Sequence, residues 1–122
     1  MSRVLLAEDE FLIRAALVEA LDEVGLTCIE APTGAAALDV VTGSDELAAI
    51  IVDIGLPDMS GEKVIEAARR HRPDVPVIRC SGAILSQGDG SSGIHVFPKP
   101  YSPTDLSRFV ASLVGTVSKQ PS

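Results

Sequence analysis

The chain is predicted to be an α/β protein in three layers, a parallel five-stranded sheet between two sheets of helices. Three observations lead there. Short apolar runs alternate with helix-period segments from one end to the other. The runs are almost wholly apolar, as in strands buried on both faces. And 122 residues hold one domain of ordinary size, able to bury a core without a disulfide or structural metal.

Each element follows from its residues. Val4 to Ala7 is an apolar run stopped by carboxylates, the first strand. From Phe11 to Val24 apolar residues recur every three to four positions, and Gly25 stands where that helix ends. Thr27 to Glu30 is the second strand. Thr33 can cap a helix running to about Thr42. Ala48 to Val52 is the most strand-like stretch, and it ends in Asp53. Gly61 to about Arg72 reads as a helix, because a residue before proline (here Pro73) avoids the helical region. Val75 to Cys80 and Ile94 to Phe97 are the fourth and fifth strands. Ser102-Pro103-Thr104-Asp105 supplies a cap, a first-position proline and a first-turn acid for a last helix ending near Val114.

Alternating strands and helices require right-handed crossovers, and five strands in this length fit the flavodoxin-like order 2-1-3-4-5. One connection differs. Residues 81–93 are rich in glycine and poor in helix formers, so the fourth crossover helix is expected to be missing or very short. One domain is expected over residues 1–117, with 118–122 a disordered tail.

Composition excludes several functions. Ten Lys plus Arg against 17 Asp plus Glu give a net charge of −7, which opposes binding to nucleic acid or an anionic membrane. The N-terminal apolar run meets Glu8 too soon for a signal peptide, and no run approaches the roughly 20 residues of a membrane span. Cys28 and Cys80 lie in apolar runs without metal-ligand or disulfide spacing and read as small buried hydrophobes. A cytoplasmic monomer is expected. Gly88-Asp89-Gly90-Ser91-Ser92-Gly93 matches G-x-G-x-x-G literally but precedes a strand, where a dinucleotide fingerprint would open a helix. The basic cluster Lys63, Arg69, Arg70, His71 and Arg72 reads as a solvated helix end, with cations near the C-terminal dipole.

Ligands of an open parallel sheet bind beyond the carboxyl ends of its strands. Here the first strand ends in Glu8-Asp9-Glu10 and the third in Asp53. The fourth ends in Ser81-Gly82, and the fifth leads into Lys99-Pro100. Crowded carboxylates repel unless a cation joins them, and an all-oxygen set suits Mg²⁺. With the metal present, Asp53 can stay ionised as a nucleophile toward a phosphoryl group, with Lys99 and Ser81 contacting the transferred oxygens. Glu10, in the first turn of a helix, is the weakest candidate, since acids are favoured there regardless.

Glu8-Asp9-Glu10, Asp53-Ile54-Gly55-Leu56-Pro57-Asp58-Met59-Ser60-Gly61, Ser81-Gly82 and Lys99-Pro100-Tyr101, in that order, resemble the response-regulator receiver domain of two-component signalling. The resemblance covers essentially the whole chain. It implies that Asp53 is the phosphoacceptor, served by a histidine kinase or a histidine phosphotransfer protein. It further implies that Asp9 binds Mg²⁺ directly, Glu8 mainly through water, and Gly55 through its carbonyl. Ser81 and Lys99 would contact the phosphoryl group, and Gly61 would open the third helix.

Three departures stand out. The acidic pair is Glu-Asp where Asp-Asp is commoner. Three residues before the lysine, where such domains usually carry Tyr or Phe, stands Val96, flanked by His95 and Phe97. His95 is expected at the surface, and strand alternation keeps either neighbour from taking Val96's place. Only 17 residues separate Ser81 from Lys99, which resembles atypical receivers with a degenerate fourth helix.

The expected function is a phospho-accepting signalling domain rather than an enzyme, acting as a single-domain response regulator or phosphate sink. No output module is expected after the last helix. The receiver portion of a hybrid histidine kinase is the alternative. An aspartyl-nucleophile phosphatase would want a second aspartate where Gly55 stands, and Glu8-Asp9-Glu10 would repel the phosphate of a flavin.

Overall fold

The computed structural model describes residues 2–81, 94–99 and 101–114. Among these residues nine elements follow in the order β1 (Ser2–Ala7), α1 (Phe11–Glu23), β2 (Leu26–Ala31), α2 (Gly34–Val41), β3 (Ala49–Asp53), α3 (Gly61–His71), β4 (Val77–Ser81), β5 (Ile94–Pro98) and α4 (Pro103–Val114). The strands form one parallel sheet in the order β2-β1-β3-β4-β5, as the sequence predicts. The segment expected to lack a fourth crossover helix or to hold only a very short one, the glycine-rich 88–93 motif and the tail expected at 118–122 all fall outside the described residues.

Strand alternation divides the core in two. On one face Leu5, Ala7, Ile50, Val52 and Val77 pack with Val41 of α2 and Val64, Ile65 and Ala68 of α3. On the other Val4, Leu6, Ala49, Ile51, Ile78 and Cys80 meet Leu17 and Leu21 of α1 and Leu106, Val110 and Ala111 of α4. Central β3 is buried along its whole length, which is why it needs apolar residues on both faces. No described helix is long and apolar enough to cross a membrane.

The boundaries show what local chemistry decides. Gly25 takes φ +87° and its amide donates to the Asp22 carbonyl, ending α1. Thr33 Oγ1 accepts the Ala36 amide at 3.1 Å and Ser102 Oγ the Asp105 amide at 3.2 Å, the two expected caps. Strand β4 begins two residues later than expected. The Val75 amide is used in a turn to the Arg72 carbonyl, and Pro76 has no N–H to give a ladder.

Arg72 is not a solvated helix end. From the C-cap of α3 its guanidinium donates to the carbonyls of Val40, Val41, Gly43 and Asp45, closing the C-terminus of α2. Cys80 is buried and Cys28 half-buried, both as free thiols.

Candidate functional site

The acidic residues converge at the carboxyl ends of β1 and β3. Carboxylate oxygens of Glu8, Asp9 and Asp53 all lie within 4.8 Å of one another. Glu8 is 2% exposed and Asp53 6%, while Asp9 opens to solvent. Adjacent parallel strands produce the convergence: β1 and β3 are paired through Ala7 and Val52, so the residues after each meet at one rim.

Asp53 is held by two donors. Lys99 Nζ donates to its Oδ1 at 2.9 Å and the Gly55 amide to the same oxygen at 3.2 Å. Lys99 is fixed in turn through its own backbone, whose amide donates to the Ser81 carbonyl at 2.9 Å. Ser81 sits at the end of β4, one position beyond Cys80, the register partner of Asp53. All the expected site residues therefore stand on one rim.

Electrostatics follow from burial and neighbours. Burial pushes the Glu8 carboxyl above its ordinary pKa; the Glu10 amide, donating to Glu8 Oε2 at 3.0 Å, opposes this, and the Asp53 charge adds to it. Burial alone would lower Lys99. The hydrogen bond to Asp53 and the charges of Asp53 and Glu8 outweigh it, and the ammonium titrates higher than usual. The Cys80 thiol beneath the rim is pushed up to about 12, chiefly by burial and then by Asp53, so it stays protonated. Tyr101 is raised likewise by burial and by Cys80.

The donor set fits a hard divalent cation. It offers three carboxylates and no ionised sulfur, and ionised Glu8 is costly in its buried place without a counter-charge.

Several site-shaping residues are not evident from sequence patterns. Arg14 donates to the carbonyls of Glu8 at 3.0 Å and Asp9 at 3.4 Å, and to Glu30 Oε1 at 3.0 Å, bracing the acidic loop from behind. Asp58 accepts the amides of Gly34 at 2.7 Å and Ala35 at 3.0 Å, and these bonds hold its carboxyl below the usual range. Gly61 opens α3 as expected, and the reason is steric. A Cβ there would lie 2.5 Å from the Asp53 carbonyl oxygen and 2.8 Å from Ile54 Cα. Glu10 is the N-cap of α1 rather than a first-turn residue, and it makes no side-chain cap.

Strand β5 settles the question of the aromatic neighbours. His95 meets the Phe109 ring edge-on at 5.5 Å, and Phe97 packs on Phe109 and Tyr101 at 5.5 and 5.9 Å. His95 is therefore a half-buried packing residue and not a surface one. Val96 points to the opposite face, in register with Arg79 and 39% exposed. Neither ring shares the face of Val96.

A family model described as "Response regulator receiver domain" matches residues 4–108. The sensor kinase CckA of Brucella abortus is 30% identical over 116 residues, which cover 91% of this chain and 12% of that protein. The response regulator receiver protein CpdR of the same organism is 29% identical over 110 residues, covering 87% of this chain and 91% of CpdR. The chain thus spans only a small part of the kinase it matches and nearly all of CpdR. A CheY-like receiver structure from Methanospirillum hungatei superposes with a TM-score of 0.80 at 23% identity, covering 95% of each chain. The receiver domain of sensor histidine kinase PA1611 from Pseudomonas aeruginosa, with a magnesium ion coordinated in its active-site cleft, gives a TM-score of 0.78 at 22% identity, covering 93% of this chain and 98% of that one.

Proposed function

Because this chain belongs to the response regulator receiver domain family, a class of phospho-accepting domains in two-component signalling, we propose that Asp53 is its phosphoacceptor. One observation carries the assignment. A carboxylate 6% exposed at the end of the central strand has an ammonium at 2.9 Å and two further carboxylates within 4.8 Å.

In this reading an Asp53 oxygen attacks the phosphorus of a phosphohistidine on a histidine kinase or histidine phosphotransfer protein. The P–N bond breaks, a P–O bond forms, and the departing imidazole nitrogen takes up a proton. Glu8, Asp9, Asp53 and the Gly55 carbonyl would hold Mg²⁺, which when bound supplies charge neutralisation at the phosphoryl oxygens. The magnesium ion of the PA1611 receiver supports that choice of metal. Lys99, already on Asp53 Oδ1, is within reach of the new phosphoryl oxygens, and the Ser81 hydroxyl serves the same group.

Phe11 and Leu12, exposed by 68% and 78% immediately after the acidic loop, offer the donor protein an apolar contact. The domain is the acceptor of one phosphoryl group and not a turnover enzyme: Gly55 stands where an aspartyl phosphatase would want its general acid. It works in the cytoplasm, as a single-domain response regulator or phosphate sink, a reading supported by the likeness to the response regulator receiver protein CpdR; the receiver portion of a hybrid histidine kinase, as the likeness to CckA suggests, is the alternative arrangement.

The test is direct. Acetyl phosphate with Mg²⁺ is expected to add one phosphoryl group to the protein, and Asp53→Asn to abolish it. Equal labelling of the Asp53→Asn variant by intact-mass spectrometry overturns the assignment.

A further inference from the structure

The connection between β3 and α3, residues 54–60, lies beside the phosphoacceptor, and surface loops of this kind are ordinarily mobile. This one is pinned at both ends. Near Asp53, the Ile54 amide donates to the Cys80 carbonyl at 3.1 Å and the Gly61 amide to the Ile54 carbonyl at 2.9 Å. At its far side, Asp58 takes one amide of α2 on each carboxylate oxygen, from Gly34 and Ala35. These are the first two residues of the helix, whose N–H groups have no partner within it and whose dipole favours an anion.

Those same amides lead back to the acidic rim. Three residues before Gly34, the Ala31 carbonyl accepts the Glu8 amide at 3.1 Å. Asp58 therefore closes a circuit: Glu8 to Ala31, Gly34 to Asp58, and along the loop to Gly55, whose amide holds Asp53 Oδ1 at 3.2 Å. Three strand-end loops become one frame, and Asp58 is the member that joins the second to the third. It stands outside the three-carboxylate cluster, with both oxygens engaged by amides.

We propose that Asp58 is a positioning residue for the divalent-cation site, setting its affinity by tying the loop that carries Gly55 to the N-terminus of α2. The proposal rests on reading Glu8, Asp9 and Asp53 as the metal site. Outer partners that orient a metal site change affinity by about 10- to 100-fold when removed.

The experiment is calorimetric titration of the whole chain with MgCl₂ alone, with circular dichroism as the check on folding. Asp58→Ala is expected to bind Mg²⁺ about 10-fold more weakly than the unmodified protein, in line with that range. Asp58→Asn keeps one acceptor and should fall between; it becomes the deciding variant if Asp58→Ala does not fold. Thr33→Ala is the control, since it frees the Ala36 amide of the same helix without touching the loop. It should bind Mg²⁺ as the unmodified protein does. Unchanged affinity in the folded Asp58 variant, or an equal loss in Thr33→Ala, overturns the proposal. Absence of Mg²⁺ binding by the unmodified protein overturns the metal reading and the proposal together.

Discussion

Lys99 and Asp53, 46 residues apart in the chain, meet at 2.9 Å because β5 and β3 both flank β4 and both end at the same rim. The pair places a cation against the proposed phosphoacceptor before any phosphoryl group arrives. Lys99→Ala is expected to slow labelling by acetyl phosphate about 100-fold, the usual scale for one lost charge-stabilising donor. Its Mg²⁺ affinity should hold or rise, since a competing positive charge is gone. Titration and labelling on the same sample separate the two effects, and an unchanged labelling rate excludes Lys99 from the chemistry. The raised pKa of Lys99 places its contribution to stability below its ordinary 10.5, to be lost only as pH climbs through the higher folded value.

Glu8 has the opposite sign. Its folded pKa lies above the ordinary 4.5, so the folded chain holds a proton that the unfolded chain has released. Metal-free stability should therefore fall as pH rises from about 4.5 through the folded value, then level off. Glu8→Gln removes that slope. At neutral pH without metal it should be more stable by about 1 kcal/mol, and it should bind Mg²⁺ more weakly. Urea unfolding across that pH range checks the first point and calorimetry the second. A Glu8→Gln variant with the same pH slope as the unmodified protein would show that another group is responsible.

Gly61 tests how closely α3 must approach the backbone of Asp53. A methyl group there meets the Asp53 carbonyl and the Ile54 backbone, neither of which can swing aside. Gly61→Ala should cost about 1–3 kcal/mol, read from the urea midpoint. It should also slow phosphorylation, because Asp53 itself has to move.

Arg72 separates stability from function. It serves four carbonyls at the end of α2, at the opposite end of the sheet from Asp53. Arg72→Ala should cost about 2 kcal/mol by leaving those groups to water, with acetyl phosphate labelling at its normal rate. Arg72→Lys should restore little, since an ammonium cannot present the planar fork that reaches several carbonyls.

These residues also mark how far sequence reasoning reaches. Asp53, Glu8, Asp9, Ser81 and Lys99 were legible because strand ends can be read from apolar runs, and a parallel sheet gathers its strand ends on one rim. Caps such as Thr33 and Ser102 were legible because their partners lie three residues on. Asp58 and Arg72 were not. Their partners sit 23 or more residues away, and loop geometry, which no periodicity encodes, decides the meeting. His95 was misplaced for a similar reason: its burial comes from Phe109, a residue on a helix that follows later in the chain.

A free carboxylate is symmetric, and half a turn about its last bond exchanges two identical oxygens. In Asp53 that symmetry is broken, because the Gly55 amide and the Lys99 ammonium both grip Oδ1. Exchange would require both grips to open together. On the proposed reading, an incoming phosphoryl group meets a carboxylate whose two oxygens already differ in their surroundings, one of them engaged by two donors before the reaction begins.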